Sequence, residues 1–527
     1  MASPKLNTYL PLLFSIALAL GMIIGYKLRS DMPTNRAFFS LQKHNTIQEV
    51  EDLLNSKYVD TVNIETLTDT AIQAILSKLD PHTIHIPALQ VAAVNEDIKG
   101  GFYGIGIEYA LINDSLNVVQ VVSNGPAAKA GLAIGDIIVK AGSSSLSGVK
   151  IETNTIRTLL RGQDGSQINL SVYRNGSMLQ INVARGKIPL TSLDAAYMID
   201  SLTGYIKLNK FSATTYTEFM NGLLALKKQG LQKLILDLRG NGGGVLDEAT
   251  EIADELLAGD KLITYTQGLH YPKKEYRCRR EGQFEKGKLI VLVDEGSASA
   301  SEVLLGALQD WDRGIIVGRP TFGKGLVQEQ YSLSDNSALR LTVARYYTPI
   351  GRNIQRSYKN GTAAYYADAS VRQAHSAKPN TLVADSSKIY TSQAGKKLYG
   401  SGGITPDYFV ATDTTLFDAL PANFYSKATI TDYGYQYYKL HNKQLQGYKS
   451  AKQFINQFAI SPTDWQLFET LAAKDSIATN KISPPNKKLI SAALKAAIAR
   501  QLFKTNGYVQ AINDSDPAVK KAMELIK

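Results

Sequence analysis

Hydrophobic and polar positions along this chain form blocks whose period changes from helix to strand. From residue 45 to about 90, apolar residues recur at helical spacing, as at Ile47, Val50, Leu53 and Leu54. Residues 99–185 instead show short alternating strands separated by Gly, Asn and Asp turns, which predicts a compact, mainly β module. From 203 to about 347, short apolar strands alternate with amphipathic helices, which predicts an α/β layer around a mixed sheet.

The blocks predict a multidomain α/β protein, as expected for 527 residues, which exceed what one hydrophobic core supports. A polar, weakly periodic stretch at 357–400 reads as an insertion or a long surface loop within the core. The C-terminal region looks helical, but its role cannot be read from the pattern. The predicted divisions are an N-terminal segment at 1–30, a helical region at 31–90, the β-rich module at 91–186, the α/β core at 187–410 and a helical region at 411–527.

The N-terminal segment carries an almost uninterrupted apolar run at 9–26, preceded by Lys5 and followed by Lys27 and Arg29. This composition predicts an export signal or a membrane anchor. The only cleavage-like sequence, Ala17-Leu18-Ala19, lies inside the run, so an uncleaved anchor is favoured. We expect the body of the protein to face the periplasm or another extracytoplasmic space.

Charge and cysteine content exclude several classes of function. The formal net charge is +11, yet there is no long basic run and no basic helix with interleaved aromatics, so we expect no nucleic-acid partner. Cys278 is the only cysteine, which excludes an internal disulfide and a cysteine-based zinc site. His82 and His85 have a spacing that could hold zinc, but we expect no metal and no cofactor.

The strongest chemical signal is the turn Gly-Ser-Ala-Ser-Ala-Ser-Glu at 296–302, which lies between an apolar strand at 289–293 and a helix at 303–311. One serine hydroxyl should therefore sit where the free N–H groups of a helix start collect, as in an oxyanion-binding nucleophile site. The pair Ser299 and Glu302 also fits a capping box, which is a structural role. The pattern alone does not choose among Ser297, Ser299 and Ser301.

Two further elements belong to the same α/β region. Lys324 stands between two glycines in an apolar neighbourhood, and a buried lysine can lose its charge and act as a base. The glycine loop at 237–244 follows a strand and precedes a helix, so its amides can face a ligand. A phosphate loop is the alternative, but the spacing does not fit a Walker motif. A Ser-His-Asp hydrolase is disfavoured because no Gly-x-Ser-x-Gly occurs and His270 is the only histidine of the stretch.

Three segments of the β-rich module, at 101–107, 125–132 and 135–138, resemble in their order a PDZ module of the bacterial protease type. The resemblance implies that loop amides hold the terminal carboxylate of a peptide, whose chain adds to an exposed strand edge. Taken alone, Gly104-x-Gly106 would be an ordinary turn. The expected peptide-binding residues are Tyr103, Gly104, Ile105, Gly106 and Ile107.

The segments Asp237-Leu238-Arg239-Gly240-Asn241-Gly242-Gly243, 296–302, Phe322-Gly323-Lys324-Gly325-Leu326-Val327-Gln328 and Gly403-Ile404-Thr405-Pro406-Asp407 together resemble the S41 family of C-terminal processing (tail-specific) peptidases. Leu79-Asp80-Pro81-His82 and 344–349 extend the match from about 47 to 407. The resemblance implies a mixed-sheet, crotonase-like α/β peptidase core with an inserted PDZ domain. It also implies that Ser299 is the nucleophile, Lys324 the general base, Gln328 the residue that orients the lysine, and Gly243 and Ala300 the oxyanion amides. The family often has Asn-Pro-Gly-Gly where this chain has Asn-Gly-Gly-Gly at 241–244, so the oxyanion amide is fixed only to within one residue.

The expected function is therefore a serine endopeptidase that cleaves proteins near their C-termini through a Ser-Lys dyad and an acyl-enzyme. The expected partners are proteins or peptides with exposed C-terminal tails, and the membrane through the N-terminal segment. A homo-oligomer or an adaptor protein is left open. The alternative is a non-catalytic peptide-binding scaffold on an S41-like fold.

Overall fold

A computed structural model describes residues 5–31, 46–148, 151–374, 388–412, 424, 427–480 and 482–527. The chain separates into two compact units, Met1–Ile72 and Gln73–Lys527. Helices α1 (Lys5–Asp31) and α2 (Thr46–Lys57) belong to the first unit, and α3 (Ile64–Leu76) begins in it. In these described ranges no helix combines the length and apolarity needed to cross a membrane, so the predicted anchor at 9–26 receives no support from the structure.

The β-rich module of the second unit forms as the alternating pattern predicts. Its main sheet has the strand order β3-β4-β5-β7-β8, with β6 added to β5, and β3 lies at an edge; β2 pairs with β9. Aliphatic side chains from these strands and α6 form the core, including Leu116, Ile138 and Val172. The elements from the start of the second unit onward are β1 (Ile84–Ile86), α4 (Ala88–Lys99), β2 (Gly101–Gly104), β3 (Ile107–Ile112), β4 (Ser115–Val121), α5 (Pro126–Lys129), β5 (Ile137–Ala141), β6 (Ser144–Ser145), α6 (Thr153–Leu160), β7 (Gln167–Arg174), β8 (Ser177–Ala184) and β9 (Gly186–Pro189).

The α/β core is built on a second six-stranded sheet with the order β10-β11-β12-β15-β16-β21. The β10–β11 pair is antiparallel and the other pairs are parallel, so the mixed sheet is confirmed. The carboxyl ends of β12 and β15 lead into the glycine loop and the serine turn, and they lie side by side at one edge of the sheet. The core elements are β10 (Leu193–Met198), β11 (Thr203–Leu208), α7 (Thr215–Lys228), β12 (Lys233–Asp237), α8 (Leu246–Leu256), β13 (Leu262–Gln267), β14 (Lys274–Arg277), β15 (Lys288–Val293), α9 (Ala300–Asp310), β16 (Ile315–Gly318), β17 (Leu326–Ser332), β18 (Ala338–Tyr347), α10 (Thr362–Ala374), β19 (Ile389–Thr391), β20 (Lys397–Tyr399) and β21 (Tyr408–Phe409).

The C-terminal helices, whose role the pattern could not reveal, form part of the core. Helices α7, α8 and α9 cover one face of the sheet in a large apolar cluster. On the other face, Val519, Ala522 and Ile526 pack against Tyr205 and Leu292. Burial on both faces explains why the parallel strands read as continuous apolar runs. The C-terminal helices are α11 (Thr429–Leu445), α12 (Ala451–Gln457), α13 (Pro462–Lys474), α14 (Pro484–Asn513) and α15 (Pro517–Leu525).

Helix α14 also reaches the β-rich module. Arg500 pairs with Glu108 of β3 at 2.8 Å, and its backbone carbonyl accepts a hydrogen bond from Gln120 Nε2 of β4 at 3.1 Å. The end of the same helix contacts the core sheet, where Asn513 Nδ2 donates to Tyr197 OH at 2.9 Å. Helix α14, which is kinked at Phe503 and Lys504, therefore touches the β-rich module before the kink and the α/β core after it.

A smaller sheet beside the core sheet has the order β1-β18-β13-β14, with β17 paired to β18. Strand β1 comes from the end of the predicted N-terminal helical region and pairs with β18 in antiparallel register. On β17, Gln328 lies directly opposite Thr342 of β18. This sheet therefore brings the segment around residue 80 close to the strand that follows Lys324.

The predicted stretch at 357–400 contains regular structure. Residues 362–374 form α10, and β19 and β20 form a hairpin. Tyr365 of α10 is 3 % exposed and its ring lies edge-on to those of Phe322 and His82. Of the two alternatives, a long surface loop does not fit α10 and the hairpin, because a few aromatic contacts with distant segments order a helix that has little apolar periodicity of its own; the insertion stays a prediction. Residues 375–387 lie outside the described residues.

Candidate active site

Ser299 lies in the short turn between β15 and α9, in a backbone conformation that side chains rarely adopt. Its φ is 57° and its ψ is −114°. Such strain persists only where neighbouring groups fix it. The Ser299 N–H donates to Glu302 Oε2 at 2.8 Å, which is the glutamate half of the predicted capping box. The turn is therefore held in a conformation that the isolated chain would avoid.

The other two serines of the turn are committed to backbone carbonyls. Ser297 Oγ donates to Leu238 O at 2.8 Å, and Ser301 Oγ donates to Asn241 O at 2.9 Å. Both serines are fully buried. They tie the serine turn to the glycine loop, whereas Ser299 lines a cavity. The structure thus separates the three serines that the sequence pattern leaves equivalent.

The glycine loop approaches the serine turn closely at Gly243. Its φ is +90°, and a Cβ atom there would lie 2.6 Å from Ala298 O and 2.8 Å from Ala300 N, so a side chain cannot fit. The Gly243 N–H, which we expected to face an oxyanion, donates to Asn241 Oδ1 at 2.9 Å. Ala300 begins α9, so its N–H belongs to the first turn, where amides have no acceptor within the helix.

A buried ion cluster supports the start of the glycine loop. Asp237 is fully buried, accepts a hydrogen bond from Tyr205 OH at 2.5 Å and pairs with Arg239 at 2.6 Å. Burial raises the pKa of Asp237, but the charges of Arg239 and Lys207 outweigh it and hold that pKa at about 2. Arg239 also pairs with Asp516, the residue before α15, at 2.8 Å. The start of α15 therefore contacts the base of the glycine loop.

Lys324 presents its amine in a largely buried position between Gly323 and Gly325. Burial, with the positive charge of Arg340 acting in the same direction, lowers the pKa of Lys324 to about 8. Nζ donates to Gln328 Oε1 at 2.7 Å, which is the contact expected of an orienting residue. Among the residues that the structure describes, Lys324 Nζ and Ser299 Oγ form no hydrogen bond with each other. Such bonds often tighten only when substrate binds.

Two buried side chains hold the serine turn and the lysine loop together. Glu302 accepts hydrogen bonds from Thr321 Oγ1 at 2.5 Å, from Gly323 N at 2.7 Å and from Lys324 N at 2.9 Å, besides that from Ser299 N. Tyr346 OH contacts Lys324 O at 2.6 Å and Ser299 O at 3.2 Å. The sequence indicated a cap for Glu302 and gave no role to Tyr346.

These groups surround one cavity of about 450 Å³. All five residues predicted for catalysis and oxyanion binding line it. Aliphatic side chains from α8, α9 and β17 and the Tyr346 ring of β18 supply apolar walls, and Arg340 adds a second basic side chain beside Lys324. The cavity can hold a peptide with a hydroxyl, an amine base and helix-start amides around one carbonyl group. Its lining includes Gly243, Ser299, Ala300, Val303, Lys324, Gln328, Arg340 and Tyr346.

A second cavity, of about 220 Å³, lies between β3 and α6 of the β-rich module. Ile105, Gly106 and Ile107 line it as expected. Tyr103 and Gly104 do not line it; they belong to β2 and pair with Lys187 and Gly186 of β9. The sequence did not indicate the remaining lining residues, which come from β2, β3, α6 and the residue after α6: Phe102, Tyr109, Arg157, Leu160 and Arg161.

The histidine pair that could have held zinc makes other contacts. His82 Nε2 lies 3.1 Å from Tyr365 OH, and His85 Nε2 lies 2.9 Å from Ser337 Oγ. Across the described ranges, no three or more His, Cys, Asp or Glu side chains are grouped as metal ligands.

Comparison with protein families gives three matches along the chain. The description "Peptidase family S41" matches residues 202–363 and "PDZ domain" matches 104–184. Residues 422–504 match a "Family of unknown function (DUF8443)". The first match contains most of the residues that line the first cavity, and the second match contains most of those that line the second.

Similar proteins carry consistent names. A "Carboxy-terminal-processing protease" of Bartonella bacilliformis is 33 % identical over 313 residues, which are 58 % of this chain and 71 % of that protein. A "Probable CtpA-like serine protease" of Staphylococcus aureus strain MSSA476 is 32 % identical over 380 residues, which are 71 % of this chain and 74 % of that protein. Among solved structures, a photosystem II D1 C-terminal processing protease is 25 % identical, with 73 % of this chain and 90 % of that one covered at a TM-score of 0.35.

Proposed function

This chain belongs to peptidase family S41 and is a serine-type, carboxy-terminal-processing peptidase with a PDZ domain, and we propose that Ser299 is its nucleophile and Lys324 its general base. One observation carries the assignment. Of the three serines in the turn at 296–302, Ser299 is the one that lines the cavity containing Lys324, whereas the other two hydroxyls are used by backbone carbonyls.

In the proposed reaction, neutral Lys324 takes the Ser299 proton as the oxygen attacks a peptide carbonyl. Gln328 holds the amine through its Oε1 atom. The resulting oxyanion is stabilised by the Ala300 amide at the start of α9, where the helix dipole favours negative charge. The amine of the departing peptide receives the proton from Lys324, and water then releases the acyl-enzyme by the same base. The Gly243 amide can join the oxyanion site only by releasing Asn241 Oδ1.

The test compares three serine variants on a carrier protein with an unstructured, apolar C-terminal tail. We expect Ser299→Ala to lower kcat on the order of a thousandfold or more. Ser297→Ala and Ser301→Ala are matched controls, and we expect them to retain most of the turnover because their hydroxyls only brace the turn. Equal cleavage by wild type and Ser299→Ala would refute the assignment. If neither cleaved while both bound a tail peptide, the scaffold alternative would be favoured.

We further propose that the cavity between β3 and α6 captures the free C-terminal tail of a substrate. Strand β3 is a sheet edge, so its backbone can pair with an added peptide strand, and the loop at 105–107 can supply amides to a carboxylate. Amidating the C-terminus of the carrier should then reduce cleavage by raising KM. An unchanged rate would count against carboxylate capture.

We also propose an extracytoplasmic location, on the sequence of residues 9–26 alone. An export signal would place the body outside the cytoplasm, as would an anchor oriented with its N-terminus in the cytoplasm, and anchoring itself has no support from the described helix. Cell fractionation with added protease tests the location. Protection of the full chain in the cytoplasmic fraction would contradict it.

A further inference from the structure

The side-chain amide of Gln328 must point in one direction to support Lys324. Its Oε1 atom accepts the hydrogen bond from Lys324 Nζ, and its Nε2 atom donates to the backbone carbonyl of His82. If the amide flipped, its NH₂ group would face the donor hydrogens of a protonated Lys324, and its oxygen would face the His82 carbonyl. The His82 carbonyl therefore selects the orientation in which Gln328 can hold the lysine.

That carbonyl belongs to a tight turn organised by Asp80. Asp80 is 8 % exposed, and its Oδ1 atom accepts hydrogen bonds from the backbone amides of His82 at 2.9 Å and of Thr83 at 3.0 Å. Its Oδ2 atom accepts from Thr83 Oγ1 at 2.5 Å. Pro81 favours the extended conformation of Asp80 that starts the turn. The direction of the His82 carbonyl is thus set by one carboxylate.

The turn at 80–83 is also fastened to the sheet that carries Gln328. Thr342 Oγ1 donates to Asp80 Oδ1 at 3.1 Å, and Thr342 N donates to Thr83 Oγ1 at 3.2 Å. Thr342 is the cross-strand neighbour of Gln328. Hydrogen bonds therefore link the turn at 80–83, the β17–β18 pair and Gln328 to one another beside Lys324.

The His82 ring packs against two aromatic rings and carries no charge at neutral pH. It lies edge-on to Tyr365 at 5.4 Å and to Phe322 at 6.2 Å. Burial lowers the pKa of His82 to about 4, with Lys324 acting in the same direction, so the ring is neutral at neutral pH. Phe322 lies two residues before Lys324, so the His82 ring also contacts the loop that carries the lysine.

We propose that the turn at 80–83 is a positioning element of the active site, in which Asp80 fixes the His82 carbonyl, the carbonyl fixes the Gln328 amide, and the amide holds Lys324. Asp80 is a positioning residue, since it acts through Gln328. The inference rests on the proposed Ser299–Lys324 dyad and extends it to a segment more than 200 residues away in the chain, outside the stretch matched to the peptidase family.

The experiment is a double-mutant cycle in the full chain, with kcat measured on the tailed carrier. We expect Asp80→Ala and Gln328→Ala each to lower kcat by about tenfold to a hundredfold with little change in KM. Because Asp80 acts through Gln328, adding Asp80→Ala to Gln328→Ala should change kcat by less than about twofold. Losses that multiply would overturn the inference.

Further variants separate positioning from folding. Asp80→Asn keeps an oxygen acceptor for the two backbone amides, so it should retain kcat to within about threefold. Thr342→Val removes one bond to Asp80 without changing the turn residues, and its loss should likewise vanish in the Gln328→Ala background, which keeps the test valid if Asp80→Ala does not fold. Asp200→Ala is the matched control, because Asp200 also accepts hydrogen bonds from two backbone amides in a turn. That turn precedes the start of β11, whereas the glycine loop follows the carboxyl end of the parallel strand β12.

The pH–rate profile supplies a readout that a purely structural role would not move. The groups that act on Lys324 are Arg340 of β18, Asp80 and His82 of the turn, and Glu302 of α9. Gln328→Glu replaces the Nε2 donor with an oxygen and puts a carboxylate beside Lys324 Nζ, which favours the protonated amine. The acidic limb of the profile, on which activity rises with pH, should therefore move to higher pH, and kcat should fall. An unmoved limb with normal kcat would overturn the inference. Ordinary turnover by Lys324→Ala would instead refute the dyad itself, so the two failures are distinguishable.

Discussion

The proposed catalytic cavity and the cavity between β3 and α6 of the PDZ domain, called the groove below, are both proposed to bind peptide, but they use the backbone in opposite ways. Around the catalytic cavity, Glu302 alone accepts four hydrogen bonds, three of them from backbone amides of two separate loops. In the groove, edge strand β3 leaves one side of its backbone for an added strand. Catalysis needs groups whose bonds are already made, and tail capture needs bonds left for the substrate to make.

The difference extends to the charged groups. Lys324 is enclosed, and its pKa falls to about 8 because water is excluded from it. Arg161 at the groove is about one-third exposed, pairs with Glu96 at 2.5 Å and lies over the Phe102 ring at 4.1 Å. A guanidinium in such a position can attract a carboxylate. In our proposal, a basic side chain thus serves as a proton acceptor at one site and as an attractive cation at the other.

The largest effect should come from removing the base. Lys324→Met keeps a long apolar stem in the cavity but provides no proton acceptor, so kcat should fall on the order of a thousandfold or more. Fluorescence anisotropy with a labelled tail peptide should show unchanged binding at the PDZ groove. If tail binding were lost together with kcat, the catalytic cavity and the PDZ groove would not act as separate sites.

Next in size is the loss of the buried carboxylate that joins the two catalytic loops. Glu302→Ala leaves four donors without their acceptor, which should lower the free energy of unfolding by about 3 kcal/mol and kcat by about tenfold to a hundredfold. Urea unfolding and turnover assays check the two quantities. Glu281→Ala, at an exposed loop position, should change neither. A stable Glu302→Ala with normal kcat would show that Tyr346 suffices to hold the loops.

A smaller effect, confined to the groove, is expected from Gly106→Ala. Gly106 has φ +79°, which a side chain strains, and a Cβ atom would lie 2.7 Å from Ile188 Cδ1, so the loop or the Ile188 side chain must shift. Tail affinity should fall about tenfold, because the amides of the loop at 105–107 would be misdirected. Cleavage of a short peptide with an amidated end should be unaffected. A matching loss on that peptide would indicate that the groove acts on the catalytic step.

The sequence predicts much of the catalytic site because its residues lie in short segments with local causes. The serine turn follows a buried strand and starts a helix, and Gln328 follows Lys324 by four residues on one strand. The structure adds what local pattern cannot carry. The His82 carbonyl that binds Gln328 lies 246 residues away, and a backbone carbonyl has no signature in the sequence.

The groove and the polar stretch after residue 357 show the complementary limits. Tyr103 and Gly104 resemble part of a carboxylate-binding loop, but they pair with β9 and do not line the cavity. Helix α10 was missed because contacts of Tyr365 with Phe322 and His82, not periodicity, order it. Where a residue's role depends on a partner from another element, the pattern along one segment is insufficient.

The smallest and most specific effect concerns the pH dependence of the base. Lys324 must be neutral to accept the Ser299 proton, and its pKa of about 8 lies below the ordinary 10.5. The value of kcat/KM should therefore rise about tenfold per pH unit below pH 8 and level off above it. At pH 7 about one-tenth of Lys324 is neutral, compared with about one part in three thousand for an unshifted lysine.

Arg340→Met tests the origin of that shift. Arg340 lies in the same cavity, and its positive charge disfavours the protonated amine of Lys324. Removing the charge should raise the pKa of Lys324 and move the acidic limb, on which activity rises with pH, to higher pH. Activity at pH 7 should therefore fall, while the plateau at high pH is retained. A control with Arg157→Met, at the PDZ groove, should leave the limb unmoved. A limb that stays in place in Arg340→Met would mean that burial alone sets the pKa of the base, and that the second cation of the cavity serves substrate binding instead.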